Sequence, residues 1–196
     1  MPHKNFAALW RSNTLLETEF QLNSKVELEQ LNINRSNELY DLTEANRKYL
    51  SEWLPWLNQI KTSGDTKTFI ESTVKVASSG GAPNYAVLYE GTICGVVGFH
   101  EINKQHRIGS IGYWLGEDFS GKGIMTAAVA KLLTVGFVQF DLNKIEIRCA
   151  EGNLRSRATP ERLGFTYEAT LRQCEWLYSE YVNHAIYSML ESEHRI

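Results

Sequence analysis

The chain has 196 residues, 43% of them hydrophobic and 22% charged, with a formal net charge of −3. That length and balance suit a soluble globular protein with a full core, and the weak negative charge argues against a nucleic-acid-binding surface, which needs a basic patch. The three scattered cysteines, Cys94, Cys149 and Cys174, lack metal-ligand spacing and suit free thiols; no stretch nears the ~20 apolar residues of a membrane span, and the N-terminus has no signal-like apolar run, so the reading is a cytoplasmic protein without a membrane partner.

Taken in order, residues 1–22 read as an N-terminal extension with room for one strand, and residues 23–196 as a single domain. A short strand is expected over 26–31, then helical segments near 34–47 and 48–53. Residues 65–78 form an amphipathic helix, with Phe69, Ile70, Thr73, Val76 and Ala77 toward the core and Asp65 as a candidate cap. A Gly- and Ser-containing loop over 78–83 leads into strands at 85–89 and 92–101, joined at Glu90-Gly91, a hairpin signal. A further strand covers 107–115. Beyond it, Met125, Ala128, Val129, Leu132, Leu133, Gly136, Phe137 and Phe140 recur at the spacing of a buried helical face. Strands at 144–149, 166–173 and 181–190 follow, the last two separated by Tyr178-Ser-Glu180. The pattern is α+β, with a mostly antiparallel sheet and helices on both faces.

The junction between the strand ending at Leu115 and the helix carries the chemistry. Gly121 and Gly123 let backbone N–H groups approach a ligand closely, and the helix N-terminus adds partial positive charge, which together suit a pyrophosphate. Gly116-x-x-x-x-Gly121-Lys122 matches a phosphate-binding loop of nucleotide triphosphatases up to its last position. There a Ser or Thr should bind magnesium, and this chain has Gly123, with no later strand ending in an evident metal-binding Asp. That reading fails. The strand at 144–149 then leads to Asn153-Leu-Arg-Ser156, which opens a short helix ending Leu163-Gly164-Phe165, with Gly164 suited to a left-handed cap.

Strand, glycine turn, helix, strand, Asn-x-x-Ser, short helix and Gly-Phe occur in this order within about sixty residues. The combination resembles the GCN5-related N-acetyltransferases (GNAT), which move an acetyl group from acetyl-coenzyme A to an amine, and within them the ribosomal-protein N-terminal acetyltransferases of the RimJ/RimL group. The segments at 49–56 and 172–178 are also similar to that group, so the likeness covers about residues 25–190. It implies a three-layer fold whose two parallel strands splay apart to admit the cofactor arm. The turn departs from the superfamily pattern Gln/Arg-x-x-Gly-x-Gly/Ala: Ser120 replaces the long first side chain, and Met125 stands where a small residue is usual. Pro160 is a second oddity. If the helix starts near Leu154, the proline deprives the Ser156 carbonyl of its i+4 donor. Either the helix begins later, with Thr159 as cap and Pro160 at its first position, or it kinks beside Ser156.

Acetyl transfer needs a neutral amine, stabilisation of the developing oxyanion and a proton for the departing thiolate. By resemblance Ser156 is the candidate acid near the cofactor sulfur and Glu175 the candidate base, facing the acceptor. Cofactor contacts are expected from Tyr113, Trp114, Leu115, Ser120, Gly121, Lys122, Gly123, Ile124, Met125, Thr126, Asn153 and Ser156, with the strand backbone at 113–115 pairing with the pantetheine arm. Read as residues alone, Ser156 is equally a helix-start serine, Asn153 a turn former, and Tyr113 or Trp114 core. Trp53 and Trp56 could wall an acceptor pocket or cap the sheet, and Tyr178 is a second acid candidate for which hairpin packing is the better reading. Cys174 has no His close in sequence and strand alternation points it away from Glu175, so it reads as packing rather than a nucleophile; the five histidines show no metal spacing and default to solvent or core roles. The implied cosubstrate is acetyl-coenzyme A, without metal, and the implied acceptor a protein N-terminal α-amine, the family being often dimeric. Two alternatives stay open: a small amine such as a polyamine, amino acid or aminoglycoside as acceptor, and a non-catalytic acyl-coenzyme A-binding module.

Overall fold

The computed structural model describes residues 18–194. Eight strands form one sheet in the order β1-β2-β3-β4-β5-β6-β8-β7. They are β1 (Glu19–Gln21), β2 (Val26–Gln30), β3 (Asn84–Tyr89), β4 (Thr92–Asn103), β5 (Ile108–Leu115), β6 (Lys144–Ala150), β7 (Thr166–Leu177) and β8 (Glu180–Leu190). All pairs are antiparallel except β5 with β6. Strand β1 falls inside the segment read as an extension, pairs with β2, and places Phe20 in the core; the rest of that segment, residues 1–17, lies outside the described residues. No described helix is long and apolar enough to cross a membrane.

Helices α1 (Ser36–Ala45), α2 (Arg47–Leu50), α3 (Ser63–Ser78), α4 (Ile124–Thr134) and α5 (Leu154–Arg162) complete the fold. The larger core packs α4 residues such as Ala128, Val129 and Leu132 against Val87, Val97, Ile111, Ile147 and Tyr187. A smaller cluster joins Leu39 of α1 and Ile70 of α3 to Ala86, Leu88, Val96 and Trp114. The sheet is therefore covered by α1 and α3 on one face and by α4 and α5 on the other, as the unbroken burial along the middle of β3 and β4 demands.

Local chemistry explains most boundaries. Glu90 and Gly91 both take positive φ, 51° and 80°, the requirement of a tight two-residue hairpin. Gly164 (φ 79°) ends α5, with Phe165 N–H donating to the Pro160 carbonyl (3.0 Å) and Gly164 N–H to that of Glu161 (3.2 Å), so the glycine cap expected there is present. At α3 the sequence reading needs correction. The cap is Thr62, and Asp65 is the third helical residue, closing a reciprocal capping box with it. Of the five residues assigned to that helix's core face, Ile70 and Ala77 are buried, whereas Phe69 and Val76 remain 42% and 46% exposed. Helix α4 continues into one wide π turn over Val135–Gln139, where Gly136 passes so close to Ile145 that a Cβ would sit 2.6 Å from its Cδ1.

One polar network ties the α1 layer to the sheet. Arg35 Nη2 donates to Glu29 on β2 (2.7 Å) and Nη1 to Glu38 on α1 (2.8 Å), while Glu38 accepts the N–H of Ile93 at the start of β4 (2.7 Å). The Arg35 guanidinium beside Glu29 holds that carboxyl below its usual value. A depressed carboxyl contributes stability above its unfolded-state pKa of ~4.3 and loses it as pH falls through the lower folded value. Arg35→Met should therefore cost about 1–2 kcal/mol at pH 7. The gap between variant and parent in urea unfolding should narrow near pH 3; an equal gap at both pH values counts against this network.

Candidate active site

The site begins where a ladder stops. Strands β5 and β6 pair in parallel from Ile108↔Lys144 to Ile111↔Ile147 and no further, although β5 continues to Leu115 and β6 to Ala150. Gly112–Leu115 still pairs with β4 and Arg148–Ala150 with β8. One edge of each strand is thus left without a neighbour, and its backbone groups need another partner.

A cleft of about 680 Å³ runs along this gap. It brings together Tyr113, Trp114, Leu115, Ser120, Gly121, Gly123, Ile124, Met125, Thr126, Asn153 and Ser156, eleven of the positions singled out from sequence. At the turn Gly121 and Gly123 have φ of 75° and 74°, and a Cβ at either would meet nothing within 4 Å. Helix α4 has Gly123 as N-cap with no side-chain cap, and its first backbone bond runs from Ala127 N–H to the Gly123 carbonyl (3.0 Å). The amides of Ile124, Met125 and Thr126 precede that bond, so the helix start offers donors to an anion. The residues fit a phosphorylated ligand. Ser120 Oγ lies 3.2 Å from the Tyr49 hydroxyl, and Asn46 Oδ1 accepts the Glu117 N–H (2.9 Å), so α1 and α2 brace the turn. Lys122, by contrast, does not line the cleft: its Nζ lies over the rings of Tyr89 and Phe119, 5.6 and 5.5 Å from their centroids.

Pro160 lies inside α5, so the helix does not begin at Thr159 with the proline at its first position. The helix begins at Leu154, with Asn153 as cap and its Oδ1 accepting the Ser156 N–H (3.1 Å). The Ser156 carbonyl that the proline leaves without an i+4 donor accepts the Tyr113 hydroxyl instead (2.7 Å). Ser156 Oγ lies 3.4 Å from the same phenol oxygen, a long contact. Burial pushes the Tyr113 pKa well above its ordinary value, so it stays a neutral donor. Burial also raises the Cys149 thiol, against an opposing hydrogen bond from Ser156. Cys94 is pushed up to about 12 by burial. Cys174 is exposed rather than packed, and lines neither cavity described here.

Glu175 stands apart from the cleft lining. It is half-buried on β7, and its Oε2 lies 2.7 Å from Nε2 of His184 on β8, which pairs with Ala150 at the end of β6. The sequence singled out neither His184 nor the cleft-lining Arg155 and Arg162; cations in the motif helix were the available signal for the arginines, whereas His184 meets Glu175 only through strand register. Trp53 lines the cleft, its ring 3.1 Å from where a Gly152 Cβ would stand, and Tyr178 donates its hydroxyl to the Ser51 carbonyl. That bond ties the segment after α2 to the β7–β8 hairpin. Trp56 instead lines a second chamber with Trp114, their ring centroids 6.4 Å apart. No group of three or more His, Cys, Asp or Glu placed to hold a metal occurs among the described residues.

Comparison with known proteins follows the same lines. Residues 25–166 match the acetyltransferase (GNAT) domain family. YdaF of Bacillus subtilis (strain 168), provisionally named a ribosomal N-acetyltransferase, is 33% identical over 177 residues, 88% of this chain and 95% of the relative. RimL, a ribosomal L7/L12 alpha-N-protein acetyltransferase solved with coenzyme A, superposes with a TM-score of 0.85 at 26% identity, covering 88% of this chain and 97% of that one. The microcin C7 self-immunity acetyltransferase MccE, solved with acetyl-coenzyme A and AMP, gives 0.83 at 30% identity, covering 88% and 96%.

The Tyr113–Ser156–Pro160 arrangement is directly testable. Tyr113→Phe leaves the Ser156 carbonyl unpaired and should cost about 1–3 kcal/mol. Pro160→Ala restores a backbone N–H at i+4, so in that background the same change should cost about 1 kcal/mol less. Strict additivity of the two substitutions in denaturant unfolding would contradict this account.

Proposed function

From its membership of the acetyltransferase (GNAT) family, which makes this chain an N-acetyltransferase, we propose that it carries acetyl from acetyl-coenzyme A directly to a primary amine, the N-terminal α-amine of a protein. The observation that supports this most strongly is the gap past Ile111↔Ile147, which has an anion-binding glycine turn at its mouth and Ser156 on its wall. The RimL and MccE structures hold coenzyme A and acetyl-coenzyme A respectively, and the ribosomal names of RimL and YdaF support the protein acceptor.

In this reading the amides from Gly121 to Thr126 and the N-terminus of α4 hold the pyrophosphate, while Arg155 and Arg162 add positive charge along the cleft. The free edge of Gly112–Leu115 pairs with the amides of the pantetheine arm, as a further strand would. The cosubstrate supplies the acetyl thioester. An α-amine with a pKa of ~8 is mostly protonated at pH 7 and must lose its proton before it attacks. Glu175, steadied by His184, takes that proton through water. Ser156 gives its hydroxyl proton to the departing thiolate and recovers one from the nitrogen as the amide forms, with the Tyr113 hydroxyl holding the serine's helix in place. Neither buried thiol is suited to carry the acetyl group, because burial keeps Cys94 and Cys149 protonated.

Ser156→Ala should lower kcat for coenzyme A release about 10²-fold with little change in KM for acetyl-coenzyme A, and Glu175→Gln should do so about tenfold or more. The substrate for this assay is a peptide with a free α-amine, and a mass shift on that amine checks the product. Unchanged kcat in both variants would remove Ser156 and Glu175 from these roles.

A further inference from the structure

The second chamber, about 610 Å³, opens on the face of the sheet that α1 and α3 cover. It shares Leu54, Tyr113 and Trp114 with the first cleft, so the strand that borders the gap separates the two. Its position follows the gap closely. His100, in its lining, lies against Gly112, the first residue of β5 past the end of the parallel ladder; a Cβ on Gly112 would sit 1.9 Å from the imidazole Nε2. The histidine left to a solvent or core role by its sequence context thus sits beside the point where the gap begins.

The chamber's chemistry is unlike that of the first cleft. Glu52, Glu117, Arg155 and Arg162 line the first, whereas no Asp, Glu, Lys or Arg is among the described residues lining the second. His100 adds no charge at neutral pH, because burial pushes its pKa below the ordinary histidine value. Trp56, Phe69 and Val76 all line the chamber and keep 38%, 42% and 46% exposure. These are apolar side chains facing open volume, the common mark of a ligand surface, and the volume lies within the range of small-ligand pockets.

We propose that this chamber is the acceptor pocket and that it selects an amine borne on an uncharged, apolar group, namely a peptide whose first residue has an apolar side chain. The inference rests on the transfer reading above and specifies its acceptor. A first side chain carrying a charge would leave water for walls that offer no counter-charge, which costs several kcal/mol unless it is paired. A polyamine or aminoglycoside brings additional ammonium groups and would need carboxylates that this lining lacks. An apolar side chain replaces water against Trp56, Phe69 and Trp114 and gains from it.

The test measures coenzyme A release by the full chain with acetyl-coenzyme A and matched peptides beginning with Leu, Met or Phe, against peptides beginning with Lys, Asp or Glu, spermidine and an aminoglycoside. Peptides with an apolar first residue should show kcat/KM at least about tenfold above every charged acceptor. Thr73→Glu places a carboxylate on the α3 wall of the chamber. It should raise kcat/KM for the Lys-first peptide about tenfold relative to the Leu-first peptide, with KM for acetyl-coenzyme A unchanged. Equal efficiencies, a preference for charged acceptors, or a Thr73→Glu effect parallel across all acceptors would overturn the chamber assignment and leave acetyl transfer standing. Absence of release with every acceptor would overturn the transfer reading, and the chamber assignment with it.

Discussion

Two parallel strands that stop pairing halfway impose one constraint on everything around them. The backbone groups along the free edges of Gly112–Leu115 and Arg148–Ala150 cannot be buried unpaired without a penalty of a few kcal/mol each. A closed sheet would remove the problem and the function together. The fold instead keeps the gap open from both ends. The π turn after α4 and the close packing of Gly136 on Ile145 hold the paired ends of the strands together, while α5 bridges the unpaired ends through the Tyr113–Ser156 bond. The gap is thereby a fixed element of the architecture, and in the proposed reading a cosubstrate arm with its own amide groups would be the partner its edges lack.

The two sides of the gap carry different electrostatics. On the α4–α5 side are helix-start amides and arginines, suited to a highly charged phosphate carrier. On the α1–α3 side are aromatic rings and an uncharged imidazole. In the reading proposed above, the first side would stabilise a phosphate carrier and the second an apolar acceptor. The segment after α2 closes the arrangement: Trp53 stands against Gly152 on the cofactor side, Trp56 lines the acceptor side, and Tyr178 ties the segment to the β7–β8 hairpin.

What could be read from the sequence was local, and what could not was set by distance along the chain. The glycine turn and the Gly164 cap are decided within four or five residues, and each is where the pattern put it, whereas the Asn153 cap reads from sequence as a turn former. Periodicity put Phe69 and Val76 on the core face of α3, where they are in fact exposed, because it cannot tell an apolar face that meets a core from one that borders a cavity. His100 against Gly112 and Glu175 against His184 depend on strand register and bulges, which no spacing rule supplies. Adjacency also could not tell where the Lys122 side chain goes: the turn that offers its backbone to the cleft sends that side chain over Tyr89 and Phe119.

Pro160 shows how a local fault can serve a remote requirement. Alone, a proline at the seventh position of a nine-residue helix is a defect, removing one of few hydrogen bonds and freeing one carbonyl. That carbonyl belongs to Ser156, and its replacement donor comes from β5, 43 residues earlier in the chain. An ordinary helix would satisfy the Ser156 carbonyl internally and leave the Tyr113 hydroxyl to find another partner in a buried setting. With proline in place, the two buried groups can satisfy each other only if α5 sits at one height and rotation relative to β5. The same contact therefore fixes where the Ser156 hydroxyl points into the gap. The cost to the helix is offset by a bond between the two walls of the site, and positional precision at Ser156 is the return.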